Sequence, residues 1–304
     1  VESGLRDTIN NLKNSEDLSK IDSVWDYSVN TIIEKYEKET GKTIVKIAGI
    51  CGKEQRAVKE AELIKKYGYD AGLLSPGGLS DLSENDLVSR TKAVAEHIPV
   101  IGFYLQPSVG GRAFSYSYWQ QICEIPNVVA IKSAPFNRYL TLDVVRACAL
   151  SSRCDEITLY TGNDDNIIVD LLTQYKFKKD GKTVAKGFKG GLLGHWCIWT
   201  HTVAKLFEQI KDRTATPELL TLAAEITDAN SVVFDAANGF AGCIPGIHEI
   251  LRRQGLLKGT WCINPNEVLS PGQSAEIDRI YEMYPHLNDD EFVKDFLKRH
   301  NADF

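Results

Sequence analysis

Short apolar, β-branched runs recur through the middle of the chain, at residues 43–50, 71–75, 99–105, 127–134, 156–162 and 187–194. Between them, apolar positions return at helical spacing over 54–67, 84–97, 116–125, 142–150 and 166–175. The runs are apolar on both faces, as parallel strands covered by helices must be. Their starts lie about 28 residues apart, close to the roughly 30 residues per strand-helix unit of an eightfold barrel. A doubly wound sheet would carry a glycine-rich phosphate turn after its first strand, and this chain has none. The pattern therefore predicts an α/β fold of the (β/α)8 TIM-barrel class. Only six strands are readable where a barrel needs eight. The first two are expected upstream of Val1, or else the sheet is incomplete.

The flanks read differently. Residues 1–42 form an N-terminal helical segment, with Leu5, Ile9 and Leu12 on one stripe and Val24, Tyr27, Ile32 and Tyr36 on another, ended by Gly41. Residues 43–201 hold barrel strands three to eight with their helices. Residues 202–304 form a helical extension: 203–211, 217–238, 247–254, 273–284 and 289–300. The last helix has Asp289, Asp290 and Glu291 in its first turn and Lys298, Arg299 and His300 in its last, matching the helix dipole.

Composition narrows the function. The 304 residues are 43% hydrophobic and 25% charged, the proportions of an ordinary globular protein. A net charge of −6 disfavours a phosphate backbone as partner. No apolar run reaches the roughly 18 residues of a membrane helix. The chain opens on Val1, its only methionine is Met283, and no basic start with an apolar stretch marks a secretory signal. The residue of the start codon, and with it the true N-terminus, is expected to lie further upstream. Cysteines at 51, 123, 148, 154, 197, 243 and 262 are odd in number and include no C-x-x-C. Neither a disulfide framework nor a zinc cage is supported. Most are expected to be small buried hydrophobes in a reduced, cytoplasmic protein.

Several motifs fail on inspection. Gly41-Lys42-Thr43 imitates a phosphate loop, but Tyr36 occupies the required glycine position and a strand follows. No H-E-x-x-H spacing and no G-x-S-x-G elbow occur. Lys132 is more informative, because it interrupts an otherwise apolar strand, Asn127 to Ala134. A desolvated lysine has a depressed pKa and becomes nucleophilic, as an imine with a carbonyl substrate requires. The plainer alternative is a strand-end lysine that snorkels to solvent or pairs with a carboxylate. Tyr104 ends the preceding strand, where a barrel gathers its active-site residues and where a phenol can relay protons to and from a carbinolamine. Its plainer alternative is a core aromatic with its hydroxyl bonded to backbone.

With these residues in place, positions 43 to about 284 resemble the dihydrodipicolinate synthase/N-acetylneuraminate lyase family of class I, Schiff-base aldolases. Ile47 to Gly49 is similar to the family's third strand, and Phe103 to Pro107 to its fifth, which sets Tyr104 on the catalytic tyrosine. Val129 to Lys132 is similar to the sixth strand, with Lys132 on the Schiff-base lysine. Thr161 to Asp165 and Gly190 to Leu193 resemble the seventh and eighth, while Ile244 to Ile247, Gly255-Leu256 and Leu269 to Pro271 echo the closing helices. The resemblance implies a pyruvate-dependent lyase needing neither metal nor organic cofactor, a keto-acid ligand, and a homodimer or homotetramer. Around the lysine, Gly191, Leu192, Ser108, Asp164 and His195 are the expected substrate contacts, with Asp165 and Trp196 beside them.

The departures are as specific. The family's G-T-T-G-E carboxylate loop follows a strand not seen here, so no threonine relay is assigned. Val109 stands where lysine-forming synthases carry a substrate-gripping arginine, although Arg112 follows nearby, and Gly77-Gly78 replace an aromatic pair. These changes point away from aspartate semialdehyde and toward a 2-keto-3-deoxy sugar acid. Two other readings stay open. One is a sugar-phosphate enzyme using Lys189, Gly190 and Gly191 as a phosphate cradle. The other is a keto-acid-binding regulator that kept the pocket and lost turnover.

Overall fold

The computed structural model describes residues 31–211 and 214–300. The expected N-terminal stripes from Leu5 to Tyr27 lie outside these residues. The described chain divides into two compact units, one of residues 31–105, 110–131 and 150–158, the other of 106–109, 132–149 and 159–300.

In the first unit, α1 (Thr31–Thr40) precedes the alternation β1 (Ile47–Ile50), α2 (Glu54–Lys66), β2 (Ala71–Leu74), α3 (Glu84–Ala95), β3 (Val100–Leu105) and α4 (Tyr116–Cys123). β1 pairs in parallel with β2, and β2 with β3. The first half of β4 (Val128–Ala134) comes next in the order, and the Val100 N–H donates to the Asn127 carbonyl beside it. Side chains start the helices. Ser83 and Asp86 form a reciprocal capping box on α3, and the Ser115 hydroxyl accepts the Tyr118 N–H at the head of α4. Arg90 is buried and donates to the carbonyls of Gly52 (2.8 Å) and Ser75 (3.0 Å), tying together the segments that leave β1 and β2. β1 departs from the expected burial on both faces. Ala48 and Ile50 are buried, while Ile47 remains 45% exposed, because among the described residues β1 pairs only with β2.

The second unit takes up the end of β4, followed by α5 (Arg138–Leu150), β5 (Thr158–Thr161), α6 (Ile167–Leu172), the antiparallel hairpin β6 (Tyr175–Lys179) and β7 (Lys182–Lys186), and β8 (Phe188–Gly191). Its strand order is β4-β5-β8, all parallel where registered. Five helices follow: α7 (Thr200–Ile210), α8 (Pro217–Val233), α9 (Cys243–Arg253), α10 (Gln273–Met283) and α11 (Asp290–His300). The apolar faces of α7 to α10 share a core that includes Ile210, Ile226, Val233, Ile250, Ile277 and Ile280.

Two expected helices are cut short. α6 stops at Leu172 rather than Tyr175, because Tyr175 and Phe177 already alternate with lysines toward the Asp180-Gly181 turn. Both turn residues have positive φ, +50° and +77°, as a type I′ hairpin demands. α8 ends at Val233 rather than Asn238. Asp235 turns left-handed at φ +57°, and its carboxylate accepts the Gly242 N–H and the Ser270 hydroxyl. The cysteines also differ from expectation: Cys123, Cys148 and Cys262 are buried, but Cys51 and Cys197 are exposed and Cys154 and Cys243 half-buried.

Candidate active site

Within the second unit, the turn after β5 supports the end of β4. The Gly162 N–H donates to the Ser133 carbonyl at 2.8 Å. A methyl group on Gly162 would lie 2.9 Å from the Lys132 Cε and 2.6 Å from the Ala134 Cβ, closer than carbon atoms tolerate. The bare glycine is therefore what lets the lysine stem cross this turn. Burial lowers the pKa of Lys132, opposed in part by the negative charge of Asp164. The balance favours the neutral amine more than in an exposed lysine, which is the property a carbonyl-attacking nucleophile needs.

Asp164 follows two residues later and is only 8% exposed. Its Oδ1 accepts the His195 N–H at 2.9 Å and its Oδ2 the Gly194 N–H at 3.4 Å, both from the turn after β8. Asn230 on α8 closes the arrangement. Its Nδ2 donates to the Asp164 carbonyl at 2.8 Å, so its Oδ1 faces the His195 Nδ1 at 2.7 Å as an acceptor. That fixes the tautomer, with the proton on Nδ1 and the lone pair on Nε2. Burial pushes the Asp164 carboxyl up to about 6, against the pull of the two N–H groups and Lys132. Burial also pushes His195 down to about 4, so this imidazole is neutral at neutral pH. A cavity of about 80 Å³ borders Asp164 and Asp165, lined also by Phe136, Asn230, Phe234 and Phe240.

Asp170, fully buried on α6, anchors the turn from below. It accepts from the Thr161 hydroxyl (2.6 Å), Asn163 Nδ2 (3.0 Å), Asn166 Nδ2 (2.9 Å) and Arg138 Nη1 (2.5 Å). Buried carboxylates survive only with such a complement of donors. Asp165 is more exposed; burial raises its pKa while Arg138 lowers it. Across the turn, the Leu192 N–H donates to the Thr161 carbonyl at 2.9 Å, and the Trp196 indole donates to the Gly191 carbonyl at 2.8 Å. Lys132, Asp164, Gly191, Leu192 and His195 thus share the second unit, joined there by Ser108 in the exposed turn Pro107–Val109. Leu192 is 45% exposed, whereas His195 is buried in the clamp on Asp164.

Tyr104 belongs to the first unit. It is fully buried, with ring centroids 5.4 Å from Phe114 and 5.1 Å from Trp119. Its hydroxyl accepts the Phe114 N–H at 3.0 Å, which directs its own proton elsewhere. Arg112 is occupied locally, donating to the Leu82 carbonyl at 2.6 Å and lying over the Phe114 ring. Gly78, at φ +73°, donates its N–H to the Gly110 carbonyl at 3.4 Å. Among the described residues no three histidine, cysteine or carboxylate side chains converge as a metal site, and no helix is long and apolar enough to cross a membrane.

Sequence reasoning missed Gly162, Asn230, Asp170 and Arg138. For Asp170 a signal existed: it is a charged residue inside the apolar helical stretch Ile167 to Leu172.

Residues 27–174 match the model of the dihydrodipicolinate synthetase family. A 4-hydroxy-tetrahydrodipicolinate synthase of Clostridium novyi is 27% identical over 150 residues, which are 46% of this chain and 49% of that protein. The chain thus matches about half the length of this curated relative. Among solved structures, a chloride-inhibited dihydrodipicolinate synthase from Acinetobacter baumannii complexed with pyruvate superposes with a TM-score of 0.63 at 20% identity, covering 83% of this chain and 79% of that one. N-acetylneuraminate lyase from Fusobacterium nucleatum gives 0.61 at 16% identity, covering 93% and 92%. At such identities the likeness speaks to fold: α/β of the TIM-barrel class, with helices following the barrel strands.

Proposed function

We propose, from the match of residues 27–174 to the model of the dihydrodipicolinate synthetase family, that the protein is a pyruvate-dependent lyase working through an imine on Lys132. The observation that carries the reading is a desolvated lysine whose Cε rests against Gly162, one strand away from a buried carboxyl group. The neutral amine adds to the keto carbon of the substrate, water leaves, and the resulting iminium withdraws electrons from the adjacent carbon–carbon bond. The iminium is itself the electron sink, so the mechanism calls on no metal or organic cofactor. Tyr104 relays protons to and from the carbinolamine, and Gly191, Leu192, Ser108, Asp164 and His195 line the substrate. The chain acts as a cytoplasmic homodimer or homotetramer.

The acceptor end follows from charge. Val109 offers no cation, and Arg112 is bound to the Leu82 carbonyl. A hydroxylated aldehyde end therefore suits the site better than the carboxylate of aspartate semialdehyde, and a 2-keto-3-deoxy sugar acid is the proposed substrate class. Borohydride reduction with pyruvate should add a single reduced pyruvyl group, and peptide mapping should find it on Lys132. An adduct elsewhere, or none at saturating pyruvate, would sink the assignment. A panel of 2-keto-3-deoxy sugar acids should release pyruvate, read by a coupled dehydrogenase, while pyruvate and aspartate semialdehyde should not condense. Efficient condensation would reverse the substrate argument.

A further inference from the structure

We propose that the Asp164 carboxyl group is the proton-transfer group of the carbon–carbon step, taking a hydroxyl proton as the bond breaks and handing it to the enamine carbon afterwards. The assignment rests on the Lys132 imine reading above. Three features support it. The carboxylate is aimed by two backbone N–H groups, from Gly194 and His195. Its backbone is held by Asn230, which is itself oriented by His195. It borders a cavity, and the lysine stem crosses the chain only two residues before it, at Gly162.

The step balances. The substrate is joined to Lys132 as an iminium at C2 and carries a hydroxyl at C4. The Asp164 carboxylate removes the hydroxyl proton, the C3–C4 bond breaks, C4 leaves as an aldehyde, and the electron pair neutralises the iminium to an enamine. The Asp164 carboxylic acid then protonates C3, restoring the iminium, now of pyruvate, which water releases. Each transfer converts a cation and an anion into two neutral groups, or the reverse. The desolvated site therefore never changes net charge, and this matters most where dielectric screening is weak. His195 is a poorer candidate, because its Nδ1 proton is committed to Asn230 and its ring is buried.

Burial keeps the Asp164 carboxyl near the range where a group both accepts and returns a proton. The ionisable groups around it are Lys132 on β4, Asp165 beside it, His195 and Cys197 in the turn after β8, and Cys243 on α9. The test uses the full chain and pyruvate alone, following exchange of its methyl protons for deuterium by NMR alongside borohydride trapping. Asp164→Asn should still trap pyruvate on Lys132 but exchange about 10²–10⁴-fold more slowly. Asp164→Ala should behave likewise and recover exchange as formate is added. In the unsubstituted protein, without borohydride, the pyruvate imine complex should lose exchange about tenfold per pH unit below about 6, a limb missing from Asp164→Asn. Should either variant fail to fold, this pH limb decides alone. Exchange at the unsubstituted rate in a folded Asp164→Asn, or no acid limb, would overturn the assignment and leave the imine intact. Absence of any trapped adduct in the unsubstituted protein would instead overturn the imine reading and this assignment with it.

Discussion

Replacing Lys132 with alanine or arginine is expected to abolish pyruvate release and borohydride labelling together, with turnover falling on the order of 10⁴–10⁶-fold, the scale of deleting a covalent nucleophile. The two variants fail for different reasons. Alanine has no nitrogen. Arginine keeps a positive charge near Asp164 but remains protonated at any accessible pH and cannot attack a carbonyl. Both should stay folded. Lys132 is only half-buried, and alanine also removes the cost of desolvating an ammonium. Arginine must fit its wider head above Gly162, so a loss of about 1–2 kcal/mol is expected there. Urea unfolding separates the cases: an inactive, folded alanine variant supports the nucleophile, and residual labelling in it would remove Lys132 from the role.

Tyr104→Phe should lower turnover by roughly 10²–10⁴-fold while pyruvate can still be trapped on Lys132, because a positioned proton relay affects rate more than the imine equilibrium. The ring contacts with Phe114 and Trp119 survive the change. The hydroxyl does not, and with it goes the acceptor of the buried Phe114 N–H. Sequence alone would suggest an unchanged stability; the hydrogen bond predicts a loss of about 1–3 kcal/mol instead. Steady-state rates compared with denaturation midpoints discriminate the roles. Destabilisation with normal turnover would make Tyr104 a core aromatic that caps a loop.

The strands were legible because each is a run of apolar, β-branched residues too short for a helix, flanked by helical periodicity. All six parallel strands fall inside the predicted runs. The hairpin escaped because Tyr175 and Phe177 also continue the spacing of the helix before them, although Asp180-Gly181 carries a recognised hairpin signature. At the site, Lys132 and Asp164 could be singled out because a charge in an apolar strand, or in a turn after one, is conspicuous. Asp170 is conspicuous in the same way within Ile167 to Leu172, but Asn230 and Gly162 are not. Asn230 lies 66 positions beyond the residue whose carbonyl it holds, and a single asparagine within a helix looks like any solvent-facing polar residue. Gly162 matters for what it lacks, and only the proximity of the Lys132 stem reveals that.

The clamp between Asp164 and His195 also sets the proton balance of folding. His195 protonates near 6.5 in an unfolded chain and near about 4 in the fold. Between those values the unfolded state holds the additional proton, and stability drops as pH falls. Asp164 moves oppositely, from 3.8 unfolded to about 6 folded. Over that window the folded state holds the additional proton, and stability drops as pH rises. The windows nearly coincide, so the two slopes cancel, and acidification exchanges the burden of a buried anion for that of a buried cation. Taking away the imidazole with His195→Gln should uncover the carboxyl's share. Urea midpoints of that variant should climb, relative to the parent, as pH is lowered from about 6 toward about 4.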